Sequence, residues 1–222
     1  MKYEILESDY KTFFHPYTQT PVRVFRVIYV KDVSWINPFD DKKHIIKEGT
    51  IGGFIAKESN LSQDDDSIIL NNAIVFGNAK LKNSFVRDGA CIFDDCLIEE
   101  SEVFGYAKVF GKTLAKNCIF RDHCNIGGML TMERDYITNS ANISGACKIY
   151  DTSMYVGSII RGQCNIYDCE LTDVSEICGI STVRNCKLSG RAYLKNANVN
   201  NQTLNETITL DLIQQDGDLF PH

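Results

Sequence analysis

A small residue recurs every seventeen positions along most of this chain, and that recurrence restricts the fold more than any other feature of the sequence. Stepping by 17 from Ala73 gives Ala90, Ala107, Cys124, Ala141, Ser158, Ser175 and Ala192. Two residues further on, the column reads Val75, Ile92, Val109, Ile126, Ile143, Ile160, Ile177 and Leu194, all aliphatic. A second small-x-aliphatic track pairs Ala79/Leu81, Cys96/Ile98, Cys147/Ile149, Cys164/Ile166 and Ser181/Val183. A third pairs Ser84/Val86, Ser101/Val103, Cys118/Phe120, Cys169/Leu171 and Cys186/Leu188. Residues two apart share one side of a strand, and the residue between them points away. Each repeat therefore holds three short strands, and no helical period is present.

Three strands need three corners. One corner column runs Gly77, Asp94, Gly111, Gly128, Gly145, Gly162, Gly179 and Asn196. Another runs Asn71, Asp88, Gly105, Asp122, Asn139, Val156, Asp173 and Gly190, and a weaker third passes through Asn83 and Glu100. Gly, Asn and Asp enter the left-handed backbone region at low cost, which a tight corner demands. The spacing predicts a triangular coil stacked about 4.8 Å per turn, a parallel β-helix. The small residue lets the corner close and the aliphatic one fills the axis, each aliphatic side chain contributing about 1.5–3 kcal/mol by burial.

The pattern divides the chain. Stepping back from Val75 and Leu81 meets Glu58 and Asp64, so the β-helix is expected over 67–200, decaying at Asn200 and Asn205. Residues 1–50 are expected to form an N-terminal β-rich cap, with strands at 3–6 and 22–30. Residues 51–66 lead into the coil, and 201–222 form a C-terminal strand and tail. An open solenoid end exposes backbone and core, so a cap is required.

Composition sets outer limits. A net charge of -6 opposes direct nucleic-acid binding, which needs a basic surface. No apolar run is long enough to span a membrane, and no signal-peptide core begins the chain, so a cytoplasmic location is expected. Nine cysteines are then expected as thiols, seven of them at the small inward position as compact hydrophobes. The closest spacings, Cys91/Cys96 and Cys164/Cys169, do not fit a zinc tetrahedron, so no metal site is expected. Gly105–Thr113 is one residue too long for a phosphate-binding P-loop, and it falls in the repeat.

The stretch Gly52-Gly53-Phe54-Ile55, Asn60-Leu61-Ser62-Gln63, Ser67-Ile68-Ile69 and Ala73-Ile74-Val75-Phe76-Gly77-Asn78-Ala79, preceded by Val24-Phe25-Arg26-Val27, resembles the start of the coil in YdcK-type proteins. The resemblance implies a left-handed β-helix of the kind shared with hexapeptide-repeat acyltransferases, and commonly a homotrimer. Short relatives of this type are often encoded by phages and prophages. The acetyltransferase label of the family rests on fold analogy.

Four histidines are present, and His123 alone lies in the expected coil, in the corner-adjacent column Asn72, Gly89, Tyr106, His123. An acyltransferase reading makes His123 the general base and acetyl-CoA or another acyl-CoA the cofactor. Phe76, Phe93 and Phe110 stand one residue past the inward aliphatic on three successive coils, an aromatic ladder expected to face another subunit or partner. Packing under the N-terminal segment is the alternative for that ladder. Acidic residues gather at Asp64–Asp66 and at Asp94, Asp95, Glu99, Glu100 and Glu102. The leading expectation is a non-catalytic scaffold or binding protein without cofactor, homo-oligomeric and meeting a host or phage protein. The CoA-dependent acyltransferase and a phage counter-defence protein with an acidic binding face are the alternatives.

Overall fold

The structure, a computed structural model, describes residues 1–37 and 41–111 throughout. Beyond 111 it describes short strands and a few flanking residues, ending with Thr209–Leu210. The chain is β throughout this extent; a single 3-10 turn at Glu58–Asn60 is the only helical turn among the described residues.

The expected coil is present. Strands stack into three sheets of 12, 8 and 9, parallel except for the two N-terminal strands at the edge of the first. β7 (Ile74–Val75) and β10 (Cys91–Ile92) pair with Val75 beside Ile92, and Ile92 is in turn beside Val109. β8 (Lys80–Lys82) places Leu81 beside Ile98, and β9 (Phe85–Val86) places Val86 beside Val103. The inward residues Ala73, Val75, Ala90, Ile92, Ala107 and Val109 are completely buried. All three corner columns turn through positive φ: Asn71 57°, Asp88 64° and Gly105 72°; Gly77 69°, Asp94 64° and Gly111 81°; Asn83 47° and Glu100 52°.

Both ends extend the solenoid by departing from the seventeen-residue step. β5 (Ile51–Ile55) pairs in parallel with β7, Ile55 lying beside Val75, and Leu61 bridges Leu81, both steps of 20 residues. By the next strand, β6 (Ile68–Ile69), Ile69 lies beside Val86 at the ordinary 17. Three extra residues therefore sit between Leu61 and Ile69, where Asp64-Asp65-Asp66 stand, and segment 51–66 is itself a coil. At the far end Val183 pairs with Val199, Leu188 with Leu204 and Leu194 with Leu210, so pairing runs past residue 200 in steps of 16.

The N-terminal segment closes the first coil. β1 (Tyr3–Phe14) and β2 (Pro21–Tyr29) form an antiparallel hairpin that joins the sheet through β5. Tyr3 and Tyr29 are fully buried, and their hydroxyls satisfy strand ends of the first coil. Tyr3 donates to the Leu61 carbonyl at 2.6 Å, and Tyr29 accepts the Ile69 N–H at 2.8 Å. Gly52 and Gly53 permit this approach: a Cβ on Gly52 would stand 2.5 Å from Val27, and one on Gly53 2.6 Å from Ile69. The three-residue insertion has its own role, because the buried Lys2 ammonium donates to the Asp65 and Ser67 carbonyls at 2.9 and 2.7 Å. A second hairpin, β3 (Val33–Ile36) with β4 (Lys43–Ile46), packs Trp35 and His44 on Phe85. The Trp35 indole N–H donates to the Asn83 carbonyl at 2.8 Å, tying this hairpin to the third corner.

Candidate functional site

Outward positions on the first sheet build the aromatic ladder. Phe76 and Phe93 stack with ring centres 5.2 Å apart, and Phe93 and Phe110 with centres 5.4 Å apart, the planes within 6° and 13° of parallel. The far half of the β1–β2 hairpin folds back over them. Phe13 packs on Phe76, His15 meets Phe76 and Phe93 edge-on at 5.7 and 5.0 Å, and Tyr17 lies 4.8 Å from Phe110. Phe76 is 1% exposed and Phe93 0%, while Phe110 is half-buried. The expectation that Phe76, Phe93 and Phe110 face another subunit is revised accordingly: the chain's own residues 13–17 cover the stripe, leaving Phe76 and Phe93 no surface for a partner. The sequence carried a signal for this in the aromatic run Phe13-Phe14-His15-Pro16-Tyr17, which reads locally as a loop.

His15 is committed to that cover. Its Nδ1 accepts the N–H groups of Tyr17 and Thr18 at 3.2 and 3.1 Å, so the proton sits on Nε2, which donates to Asp94 Oδ1 at 3.0 Å. Neither nitrogen is left to move a proton for a substrate. Cys91 lies beneath the same hairpin, where burial pushes its thiol up to about 12. Lys11 and Arg26 both stack on the Phe54 ring, at 3.8 and 3.9 Å. Burial, with the neighbouring Arg26 guanidinium second, lowers the Lys11 ammonium. The reactive groups on this face are packing and strap elements.

The corner carrying Asn71, Asp88 and Gly105 is more open. A shallow depression of about 490 Å³ is lined there by Asn71, Asn72, Asp88, Gly89, Gly105 and Tyr106. Tyr106 is 70% exposed. One edge of its ring occupies the space a Gly89 side chain would take, since a Cβ there would lie 2.8 Å from Tyr106 Cδ1. Cross-coil bonds fix the floor: Asn71 Nδ2 donates to Asp88 Oδ1 at 3.0 Å, and the N–H groups of Asn72 and Gly89 donate to Asp88 and Gly105 carbonyls. Arg87 braces it from the side, pairing with Asp88 at 2.9 Å and Glu102 at 3.0 Å and lying 4.1 Å from the Phe104 ring. These contacts hold a large aromatic ring on a preorganised floor.

His123 follows Tyr106 by one repeat in the sequence and lies outside the described residues, as do the inward cysteines at 118, 124, 147, 164, 169 and 186. Cys96, the remaining inward one, is buried as expected, and its thiol donates to the Gly111 carbonyl at 3.2 Å. Among the described residues no three His, Cys, Asp or Glu side chains are placed to hold a metal ion. No described helix is long and apolar enough to cross a membrane. A smaller hollow of about 160 Å³ lies between Trp35, Ile36, Asp66, Asn83 and Glu100, acidic on the side toward the coil.

No family model matches this chain, and no curated protein is detectably similar to it. The resemblance to YdcK-type proteins therefore stands on the residues quoted for it.

Proposed function

We propose that this chain is a non-catalytic binding protein, a β-helix scaffold that meets a protein partner at the corner of Asn72, Asp88 and Tyr106. The observation that carries this reading is Tyr106: a 70% exposed aromatic ring seated on Gly89, with cross-coil hydrogen bonds beneath it. Large aromatics held rigid before contact supply much of the energy of protein interfaces, because little ordering entropy remains to be lost. The reading places the chain in the cytoplasm, with a host or phage protein as the partner. The test is affinity capture with wild type and with Tyr106→Ser side by side. A partner retained by the wild type and lost with Tyr106→Ser supports the reading; identical retention by both removes this corner as the contact.

A second reading is favoured by the same depression. Its column Asn72, Gly89, Tyr106 continues in sequence to His123, so a CoA-dependent acyltransferase using His123 as general base would draw on this groove. Thermal unfolding with saturating acetyl-CoA separates the two. A ligand at 100 times its dissociation constant stabilises by about 2.7 kcal/mol, a rise of several degrees. Such a rise, abolished in His123→Ala, would make the enzyme reading the better one.

A further inference from the structure

We propose that the outer edge of β1 joins a second copy of this chain, antiparallel, with Thr12 opposite Thr12 of the second copy on a two-fold axis. β1 ends the 12-stranded sheet and pairs with β2 alone among the described strands. The phase of its hydrogen bonds is fixed at the hairpin tip, where His15 N–H donates to the Thr20 carbonyl at 2.9 Å. In an antiparallel ladder bonded residues alternate with unbonded ones, so Phe13 and Lys11 face β2 with their backbone groups. Tyr10, Thr12 and Phe14 turn theirs outward. Phe14 confirms the phase, since it stands opposite Pro21, which has no N–H to give.

This open edge is short and bounded. Nearer the N-terminus, Tyr3 already has both backbone groups engaged by Gln63, at 3.3 and 3.0 Å. A register shift between Leu6 and Tyr10 then interrupts the strand. Residues 10–14 remain. Their inward side chains are occupied, Lys11 over Phe54 and Phe13 on Phe76. Their outward ones include Tyr10 and Phe14, 50% and 56% exposed. An exposed edge strand with apolar side chains is a template for another strand.

Self-pairing about a two-fold axis explains what this edge presents. Five centres keep the hydrogen-bond phase, but those on Tyr10 and Phe14 set Thr12 opposite Ser8 or Pro16, outside the open segment. Centring on Lys11 sets two lysines opposite each other, which repels. Centring on Phe13 sets Tyr10 opposite Pro16, losing a donor and an aromatic pair. Centring on Thr12 sets Tyr10 opposite Phe14 twice, with a threonine pair between them and no like charges opposed. Cross-strand aromatic and threonine pairs are the favourable ones, and the contact is isologous.

Light scattering on the full chain over a concentration series tests this. The expected species is a dimer of about 50 kDa, twice the 25.1 kDa chain. Thr12→Pro removes an outward N–H while sparing the β1–β2 bonds, so it should yield the single chain with an unchanged circular dichroism spectrum. Thr12→Cys covers the case in which the proline disturbs the hairpin. Facing residues in a bonded pair stand about 5.5 Å apart at Cα, within disulfide reach, so oxidation should give a covalent dimer that wild type does not form. A single chain at the highest wild-type concentration, or Thr12→Cys that cross-links no more than wild type, overturns the proposal. A trimer of about 75 kDa whose mass Thr12→Pro leaves intact also overturns it, in favour of the assembly implied by the YdcK-type resemblance.

Discussion

His15 Nε2 donates to Asp94 Oδ1 at 3.0 Å across 79 residues of sequence, joining the tip of the N-terminal hairpin to a corner of the solenoid. The bond holds the strap over the aromatic ladder, and its polarity is set by the two backbone N–H groups that occupy Nδ1. Asp94 serves twice, because it also turns the corner at φ 64°.

Removing the latch should loosen the strap without melting the coil. His15→Phe keeps an aromatic ring on Phe76 and Phe93 but offers no nitrogen, and it is expected to cost about 1–2 kcal/mol. Amide hydrogen exchange at Tyr17 and Thr18 should accelerate, while exchange at Val75 and Ile92 stays slow. Asp94→Asn retains both an acceptor and tolerance of the left-handed region, so it should stay within about 1 kcal/mol of wild type.

Within the ladder, cost should follow burial. Phe93 is enclosed by Phe76, Phe110 and His15, so Phe93→Ala is expected to lose about 3–4 kcal/mol in chemical denaturation. Phe110→Ala, at the half-buried end, should lose about half as much. Because the covering group belongs to the same chain, Phe110→Ser should leave the mass in solution unchanged.

The ladder also marks where the sequence stopped being informative. Inward and corner residues are read locally: each small-x-aliphatic pair and each Gly, Asn or Asp at a corner answers to geometry within its own coil. The columns at Ala73, Val75, Gly77 and Asn71 were therefore legible. The first coil was not, because three residues inserted before Ser67 move Ile55 and Leu61 out of the seventeen-residue step. A fixed period met Glu58 and Asp64 in their place. The strap was legible only as the alternative reading of the ladder, for a different reason. Which surface Phe13, His15 and Tyr17 cover depends on how a long hairpin bends back, and no spacing encodes that. Tyr106 was visible as a column member, but its exposure rests on the ring of one coil lying across Gly89 of the previous one.

Lys2 should give folding a characteristic pH dependence. Burial, only partly offset by Asp65, lowers its ammonium to about 8 from the ordinary 10.5. Between those values the unfolded chain binds the proton more fully than the folded one, so stability rises with pH through this window. Cys91 acts in the opposite sense: its thiol, raised from 9.0 to about 12, keeps a proton the unfolded chain loses above about 9. Burial raises the Tyr3 and Tyr29 hydroxyls as well, which adds to that loss above pH 10. Wild type should therefore gain stability from pH 8 to 9 and then level or fall. Lys2→Met removes the rising part, and the difference in urea midpoints between the two proteins, measured from pH 7 to 10, isolates it. Equal slopes for both proteins would show that the Lys2 ammonium is not desolvated on folding.

Asn60 tests the closure of the first coil. It is fully buried, next to the Leu61 that bridges Leu81, and its amide serves four backbone groups. Oδ1 accepts the Ala56 and Lys57 N–H groups at 3.2 and 3.0 Å, and Nδ2 donates to the Gly77 and Ala79 carbonyls at 3.3 and 2.7 Å. Asn60→Ala would strip the Lys57 N–H and the Gly77 and Ala79 carbonyls of these bonds, the Ala56 N–H keeping its bond to the Val75 carbonyl, at about 2–4 kcal/mol. Asn60→Asp keeps the acceptor but turns a carboxylate toward two carbonyl oxygens, so at neutral pH it should be at least as damaging. Because a protonated carboxyl can donate to one of those carbonyls, Asn60→Asp should recover part of the loss relative to Asn60→Ala as pH falls through the carboxylate range. Denaturation midpoints of the two variants at pH 5 and pH 7 measure this directly. If the Asn60→Asp deficit is the same at both pH values, the donor half of the amide is not what holds the coil shut.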